Sequence, residues 1–322
     1  MNVLVIGGTK FVGRTVTEAL LTAGHSVTHF NRGESNPDIF PSVETIHGDR
    51  MEHLARLASR KWDAVIDTCA YVPRAVRLSG QALVDSVDHY LYVSTISVYD
   101  GDGGPHMEDG QLASLEEETE VVDGRTYGGL KVQCEKEIAK HFGERLTIVR
   151  PGLIVGPHDH TDRFAYWPLR FKAGGRVAVP ACPGRRTTAL DVRDFANFMV
   201  LLLEKRLTGT FNVDRKDFRL GDLIRGCQAM WSGEPVWVDE DIFRSNGVEP
   251  WRGLPCWLED ENSLGDPTKA LTAGLVNRPI EETLQDTLAW ALQTGRTLPL
   301  GTCMTPKQES DVLKAWLAET EA

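Results

Sequence analysis

Residues 2–14 read NVLVIGGTKFVGR. The apolar run Val3–Ile6 stops at Gly7 and Gly8, and a third glycine, Gly13, follows six positions after Gly7. A short unbroken apolar run bounded by glycines reads as a strand buried on both faces, the kind found in parallel sheets covered by helices. The next segment, RTVTEALLTAG, carries apolar residues at helical spacing and ends on a glycine stop. A strand, a glycine turn and a helix in immediate succession restrict the chain to an α/β layer architecture.

The same alternation continues through the first half. SVTHFNRG, VETIHGD, DAVIDTCAY, HYLYVSTISVY and LTIVRPGLIVG read as further strands, and TYGGLKVQCEKEIAKHF as a long helix before the last of them. The expected fold is a doubly wound parallel sheet. After Gly156 the pattern loosens, with LDVRDFANFMVLLLEK a further helix and GTFNVD a further strand of the main sheet. The expected division is a nucleotide-binding domain over residues 1–156, with returning elements at about 186–218. Residues 157–185 and 219–322 form a smaller, mostly helical substrate-binding region. The acidic stretch from Glu108 to Glu120 reads as a solvated loop.

With 46 acidic against 35 basic residues the net charge is −11, which argues against a nucleic-acid partner. The six cysteines form no CxxC pair and none stands near histidines at zinc-ligand spacing, so they read as reduced thiols and no metal is expected. The longest apolar run, FMVLLL, is too short to span a bilayer, and the N-terminus enters a strand directly. The expectation is a cytoplasmic monomer or homodimer acting on a small molecule, with no membrane partner.

In a strand–turn–helix setting Gly7 permits the turn, Gly13 lets the helix pack close to the strand, and the helix N-terminus aims amide donors at a pyrophosphate. The second strand ends in Asn31 and Arg32, with no carboxylate before Glu34 to hold a ribose 2′-hydroxyl. Lys10 and Arg14 lie on the loop-to-helix turn, so Lys10 and Arg32 are expected to hold a 2′-phosphate. NADP is therefore the expected cofactor, with NAD the alternative. Thr9, Phe11 and Val12 complete the loop, and Asp49 is placed to accept from the adenine amino group, with Arg50 beside it.

Tyr127 and Lys131, four apart on the predicted helix, share one face. A tyrosine is a poor acid–base near neutrality, and a neighbouring ammonium favours its phenolate. Ser94, Thr95 and Ser97 offer a hydroxyl on the preceding strand to orient a substrate oxygen.

The pieces GGTKFVG, YVSTISVYDG, YGGLK, VRPGLIVGP and LDVRDFA resemble the extended short-chain dehydrogenase/reductases of the NAD-dependent epimerase/dehydratase family along nearly the whole chain. GGTKFVGR with FNRG resembles an atypical branch of that family that includes chloroplast stem-loop-binding proteins. The resemblance implies a Rossmann-type fold, Thr95 as the catalytic hydroxyl, Tyr127 as acid–base, Lys131 as its electrostatic partner and Pro151 with Gly152 lining the nicotinamide. Two departures count against nucleotide-sugar chemistry. The Asp-Glu pair of the 4,6-dehydratases is replaced by Ile96 and Ser97, and the asparagine that contacts a substrate diphosphate is replaced by Leu153. Tyr166, Trp167, Trp251 and Trp257 suit a flatter or more apolar substrate, and Tyr71, Ser97, Arg163, Trp167 and Trp251 are the expected substrate-binding residues. The expected activity is an NADP-dependent oxidoreductase acting on a carbonyl/alcohol or imine carbon. The alternatives are a sugar-nucleotide epimerase with retained NAD and a catalytically silent nucleotide-bound binding or regulatory protein.

Overall fold

The structure, a computed structural model, describes residues 1–101, 103–301 and 303–320. In chain order the strands are β1 (Asn2–Ile6), β2 (Ser26–Asn31), β3 (Glu44–His47), β4 (Trp62–Asp67), β5 (Val87–Val93), β6 (Leu146–Pro151), β7 (Ile154–Val155), β8 (Gly175–Pro180), β9 (Leu190–Asp191), β10 (Gly209–Val213) and β11 (Gly233–Val238). The helices are α1 (Phe11–Thr22), α2 (Pro73–Leu83), α3 (Tyr127–Phe142), α4 (Tyr166–Lys172), α5 (Val192–Glu204), α6 (Leu220–Met230), α7 (Glu240–Ser245), α8 (Thr268–Ala273), α9 (Ile280–Gln293) and α10 (Pro306–Thr320). The chain forms two compact units. The first is Met1–Gly152, Val192–Asp214 and Asn262–Val276; the second is Leu153–Asp191, Arg215–Glu261 and Asn277–Ala322.

The first unit is built on a seven-stranded sheet in the order β10-β6-β5-β4-β1-β2-β3. Every pairing in it is parallel, with β1 between β2 and β4. This is the doubly wound Rossmann arrangement, and the order reverses beside β1, where the carboxyl ends of the strands open a crevice. The strands are apolar on both faces because helices cover both: Val3, Leu4, Val5, Val65, Ile66, Leu91 and Val149 are fully buried. One face packs on α1 and α5, the other on α2 and α3.

Two of the expected strands are shorter than their apolar runs. HYLYVSTISVY leaves the sheet at Val93, because the Thr95 side chain accepts the backbone N–H of Ser97 and starts a 3-10 turn over Ile96–Val98. LTIVRPGLIVG breaks at Pro151–Gly152 into β6 and β7, since proline cannot donate to a ladder.

The second unit combines α4, α6, α7, α9 and α10 with two small parallel sheets, β8 with β11 and β7 with β9. Its core gathers Phe164, Trp167, Phe171, Val177, Val179, Leu223, Ile224, Phe243, Leu254, Trp257 and Leu284. Among the described residues no helix is long and apolar enough to cross a membrane. All six cysteines are free thiols.

Candidate functional site

The turn after β1 places Gly7 at φ 112° and Gly8 at φ 95°, a region closed to most side chains. At Gly13 the demand is steric: a Cβ there would stand 2.6 Å from the Gly8 nitrogen, so only glycine lets α1 sit down on the end of β1. No side chain caps the N-terminus of α1 and its first turn has no acidic residue, so its amides and positive dipole end carry no built-in anion. That donor set fits a diphosphate. Phe11, the first helical residue, holds a strained φ of 30°.

The segment after β2 is stitched to this turn. Asn31 donates to the Gly7 carbonyl at 3.1 Å and accepts from Gly33, and Asn36 donates to the Thr9 carbonyl at 2.9 Å. Lys10 stands exposed at the N-cap of α1. Arg32 is exposed and pairs with Glu34 at 3.0 Å, and Arg14 pairs along the helix with Glu18. Val12 is half-buried. The Asp49 carboxylate accepts from the Met51 backbone at 2.7 Å.

Arg50 does not behave as expected of a cofactor ligand. Its guanidinium turns inward and makes a bidentate pair with Asp67 at 2.9 and 2.7 Å, and also donates to Ser79. Asp67 is wholly buried and takes a third bond from the Tyr90 hydroxyl. A buried carboxylate must be paired, and that demand claims Arg50.

The Thr95, Tyr127 and Lys131 segments lie after the end of β5 and at the start of α3. Thr95 follows β5, accepts from the Ser97 N–H at 3.1 Å and donates to the Ser97 hydroxyl at 3.1 Å. Tyr127 is the first residue of α3 and Lys131 follows one turn later. The approach of α3 to the Thr95 segment depends on Gly128, where a Cβ would stand 2.1 Å from the Ser97 carbonyl oxygen. Lys131 is 3% exposed and donates to the carbonyls of Ala70 at 2.9 Å and Val93 at 2.7 Å. Those two bonds use two of its three donors. Its ammonium lies 4.2 Å from the Tyr92 ring centroid and 5.7 Å from that of Tyr71. The Tyr71 ring is in turn 6.5 Å from the Tyr127 ring. Burial lowers the Lys131 pKa to about 8 against the opposing pull of nearby Cys134, Asp67 and Glu135. Pro151 ends β6, buried, beside Val213 of β10.

The model of the family described as NAD dependent epimerase/dehydratase matches residues 3–214. The chain belongs to that family. One curated relative is the chloroplast stem-loop binding protein of 41 kDa b of Arabidopsis thaliana, 26% identical over 70% of this chain and 62% of its own length. The match thus spans less than two thirds of that relative. Among solved structures, UDP-glucuronic acid 4-epimerase from Bacillus cereus in complex with NAD has a TM-score of 0.68 at 16% identity, covering 92% of this chain and 100% of its own. UDP-glucose 4-epimerase with UDP-glucose from Thermotoga maritima has a TM-score of 0.65 at 18% identity, covering 91% and 99%. At such identity the likeness is one of fold.

The expected substrate residues of this family member divide between the units. Tyr71 and Ser97 are exposed beside Thr95 and Tyr127 in the first. In the second, the Arg163 guanidinium lies 5.3 Å from the half-buried Trp251 ring. Trp167 belongs instead to the core of its unit: it is fully buried and its indole N–H donates to the Pro255 carbonyl at 2.8 Å. Tyr166 and Trp257 are likewise buried. The acidic stretch is not wholly solvated either, since Glu108 accepts the Asn212 N–H at 3.0 Å.

Sequence reasoning passed over Glu135 and Arg150. They form a buried bidentate pair at 2.6 and 3.0 Å, with Ser94 donating to the same carboxylate. The available signal was a charged residue one turn past Lys131, inside an otherwise buried helix face.

Proposed function

We propose that this protein is an NADP-dependent oxidoreductase that moves a hydride between the nicotinamide and a carbonyl/alcohol or imine carbon of a small metabolite. The observation that carries the reading is Lys131. A buried ammonium with one donor to spare, one turn from a tyrosine at the mouth of the sheet, is arranged to serve an acid–base pair. When bound, the cofactor supplies the hydride donor or acceptor. The residues do the rest. The glycine turn and the uncapped start of α1 hold the diphosphate, and Lys131 donates its third proton to the nicotinamide ribose. Thr95 turns its hydroxyl from Ser97 to the substrate oxygen, and Tyr127 gives or takes the proton there. The Lys131 charge stabilises the phenolate.

The NADP preference rests on Lys10 and Arg32, both exposed and near the glycine turn, and on Asn31 standing where a carboxylate would hold a 2′-hydroxyl. Arg32 must exchange Glu34 for the phosphate, a modest cost for a surface pair. Two features favour a reductase over sugar-nucleotide chemistry. Ile96 is a buried apolar residue where a dehydratase needs an acid. Leu153 is buried too, its backbone N–H held by Thr188 at 2.7 Å, so it offers no donor to a diphosphate.

The test is calorimetric titration of the purified protein with NADPH and NADH, together with release of any retained nucleotide by denaturation. The reading expects exchangeable NADPH bound tenfold or more tighter than NADH, a difference of about 1.4 kcal/mol. Loss of that margin in a Lys10→Ala, Arg32→Ala variant, with NADH affinity unchanged, completes the expectation. Tightly retained NAD and equal affinities would overturn it in favour of an epimerase.

A further inference from the structure

The Glu135 carboxylate meets two elements of the site at once. It projects from α3 one turn beyond Lys131 and accepts from Ser94, the residue before Thr95. Its two oxygens also take both arms of Arg150 from β6. Arg150 donates further to the Tyr99 hydroxyl at 2.9 Å and the Glu108 carbonyl at 2.9 Å, and Tyr99 donates to Asn212 of β10 at 2.6 Å. Glu135 and Arg150 are only 5% and 4% exposed.

We propose that Glu135 is the positioning residue of the site: it locks the Thr95 segment and the Lys131 turn of α3 into one piece, and its charge holds the Lys131 ammonium in place. The inference rests on the oxidoreductase reading above. A buried ion pair is a weak source of stability compared with well-packed apolar residues, so its presence here calls for another use. The geometry supplies one. Ser94 directly follows β5 and Lys131 lies one turn before Glu135 on α3, so the Glu135–Ser94 bond ties the residue next to Thr95 to the helix that carries Lys131, alongside the Lys131 bond to the Val93 carbonyl. The charges around Lys131 come from every element packed on it: Asp67 at the end of β4, Cys69 and Tyr71 after it, Arg50, Tyr92 on β5, and Tyr127, Cys134 and Glu135 on α3 itself. Asp67 is already matched by Arg50, which acts on Lys131 with the opposite sign. Glu135 remains the buried carboxylate on the helix that carries Lys131, since Glu137 pairs with Arg77 and Lys140.

The experiment measures NADPH affinity by fluorescence titration from pH 6.5 to 9.5. In the wild type, affinity is expected to fall as Lys131, whose pKa burial lowers to about 8, loses its proton. Glu135→Gln is expected to move that midpoint down by roughly half a pH unit or more. The move is smaller than that of an unpaired charge, because Arg150 offsets part of the field. Glu135→Asp, which keeps the charge, is expected to restore the midpoint. Because Gln leaves Arg150 buried without its partner, a Glu135→Gln, Arg150→Met variant is titrated alongside. It removes the stranded charge and is expected to move the midpoint in the same direction. An unchanged midpoint in these variants overturns the role of Glu135 while leaving the cofactor reading intact. A wild type without an inflection overturns the role of Glu135 alone, whereas a wild type that binds no NADPH anywhere in the range overturns the cofactor reading itself, and this inference with it.

Discussion

Gly128→Ala tests how far the chemistry depends on one close approach. The added methyl would stand 2.1 Å from the Ser97 carbonyl oxygen. Ordinary carbon–oxygen contact lies at about 3.3 Å or beyond, so the start of α3 and the Ser97 segment must separate by roughly 1 Å. Backbone lies on both sides of the clash, so no side-chain rotation relieves it. The shift falls on Tyr127, the neighbour of the substituted residue, and on Thr95, whose hydroxyl is held by Ser97. A displacement of that size between reacting groups is expected to lower turnover by about 100-fold. The same overpacking is expected to cost about 1–3 kcal/mol of stability. The glycine turn and α1 are untouched, so NADPH affinity should change much less than turnover. Gly184→Ala is the control, since a Cβ there meets nothing within 4 Å. Steady-state kinetics on a substrate that supports turnover, with scanning calorimetry of both variants, decides the matter. Turnover of Gly128→Ala within twofold of wild type would refute the claim that this contact sets the site.

Three further outcomes are expected. Tyr127→Phe should lower turnover by about 10²–10⁴-fold with NADPH affinity nearly unchanged, as read by kinetics and titration. Asp67→Asn should cost about 3–5 kcal/mol by urea unfolding, because Arg50 is left buried and unpaired. Burial alone would push Asp67 up, but the Arg50 charge and the bonds from Arg50 and Tyr90 outweigh it and hold the carboxyl below its ordinary value. The stability it contributes is therefore complete above about pH 4 and lost as pH falls through the lower folded value, so wild type and variant should converge in acid. Filter binding of stem-loop RNA at physiological salt should show no sub-micromolar affinity, because a net charge of −11 leaves little counterion release to drive it.

Features set by neighbours in sequence were legible, and features set by distant partners were not. The glycine turn and the Tyr127–Lys131 spacing are local patterns with one geometric meaning in a strand–helix context. Arg50 stands beside Asp49 in the sequence, whereas the side-chain partner it takes, Asp67, lies at the end of β4. Trp167 sits in an aromatic run that suits a pocket or a core equally, and its full burial and its bond to Pro255 separate the two. The β8–β11 pairing joins Gly175 to Gly233, a separation no periodicity reveals. The need for glycine at 128 is set by Ser97, a partner distant in sequence.

The strand order of the first unit also bears on how the chain is made. β10 lies beside β6 in the sheet, yet the second unit's Leu153–Asp191 is synthesised between them. A ribosome that has released β6 has therefore produced six strands of a seven-strand sheet, with β6 as a bare parallel edge. During that interval the Tyr99 hydroxyl has no Asn212 to meet, and the open edge is a template for pairing with other nascent chains. Messages truncated before the codon for Gly209 should yield aggregates, and those carried past Val276 a completed sheet.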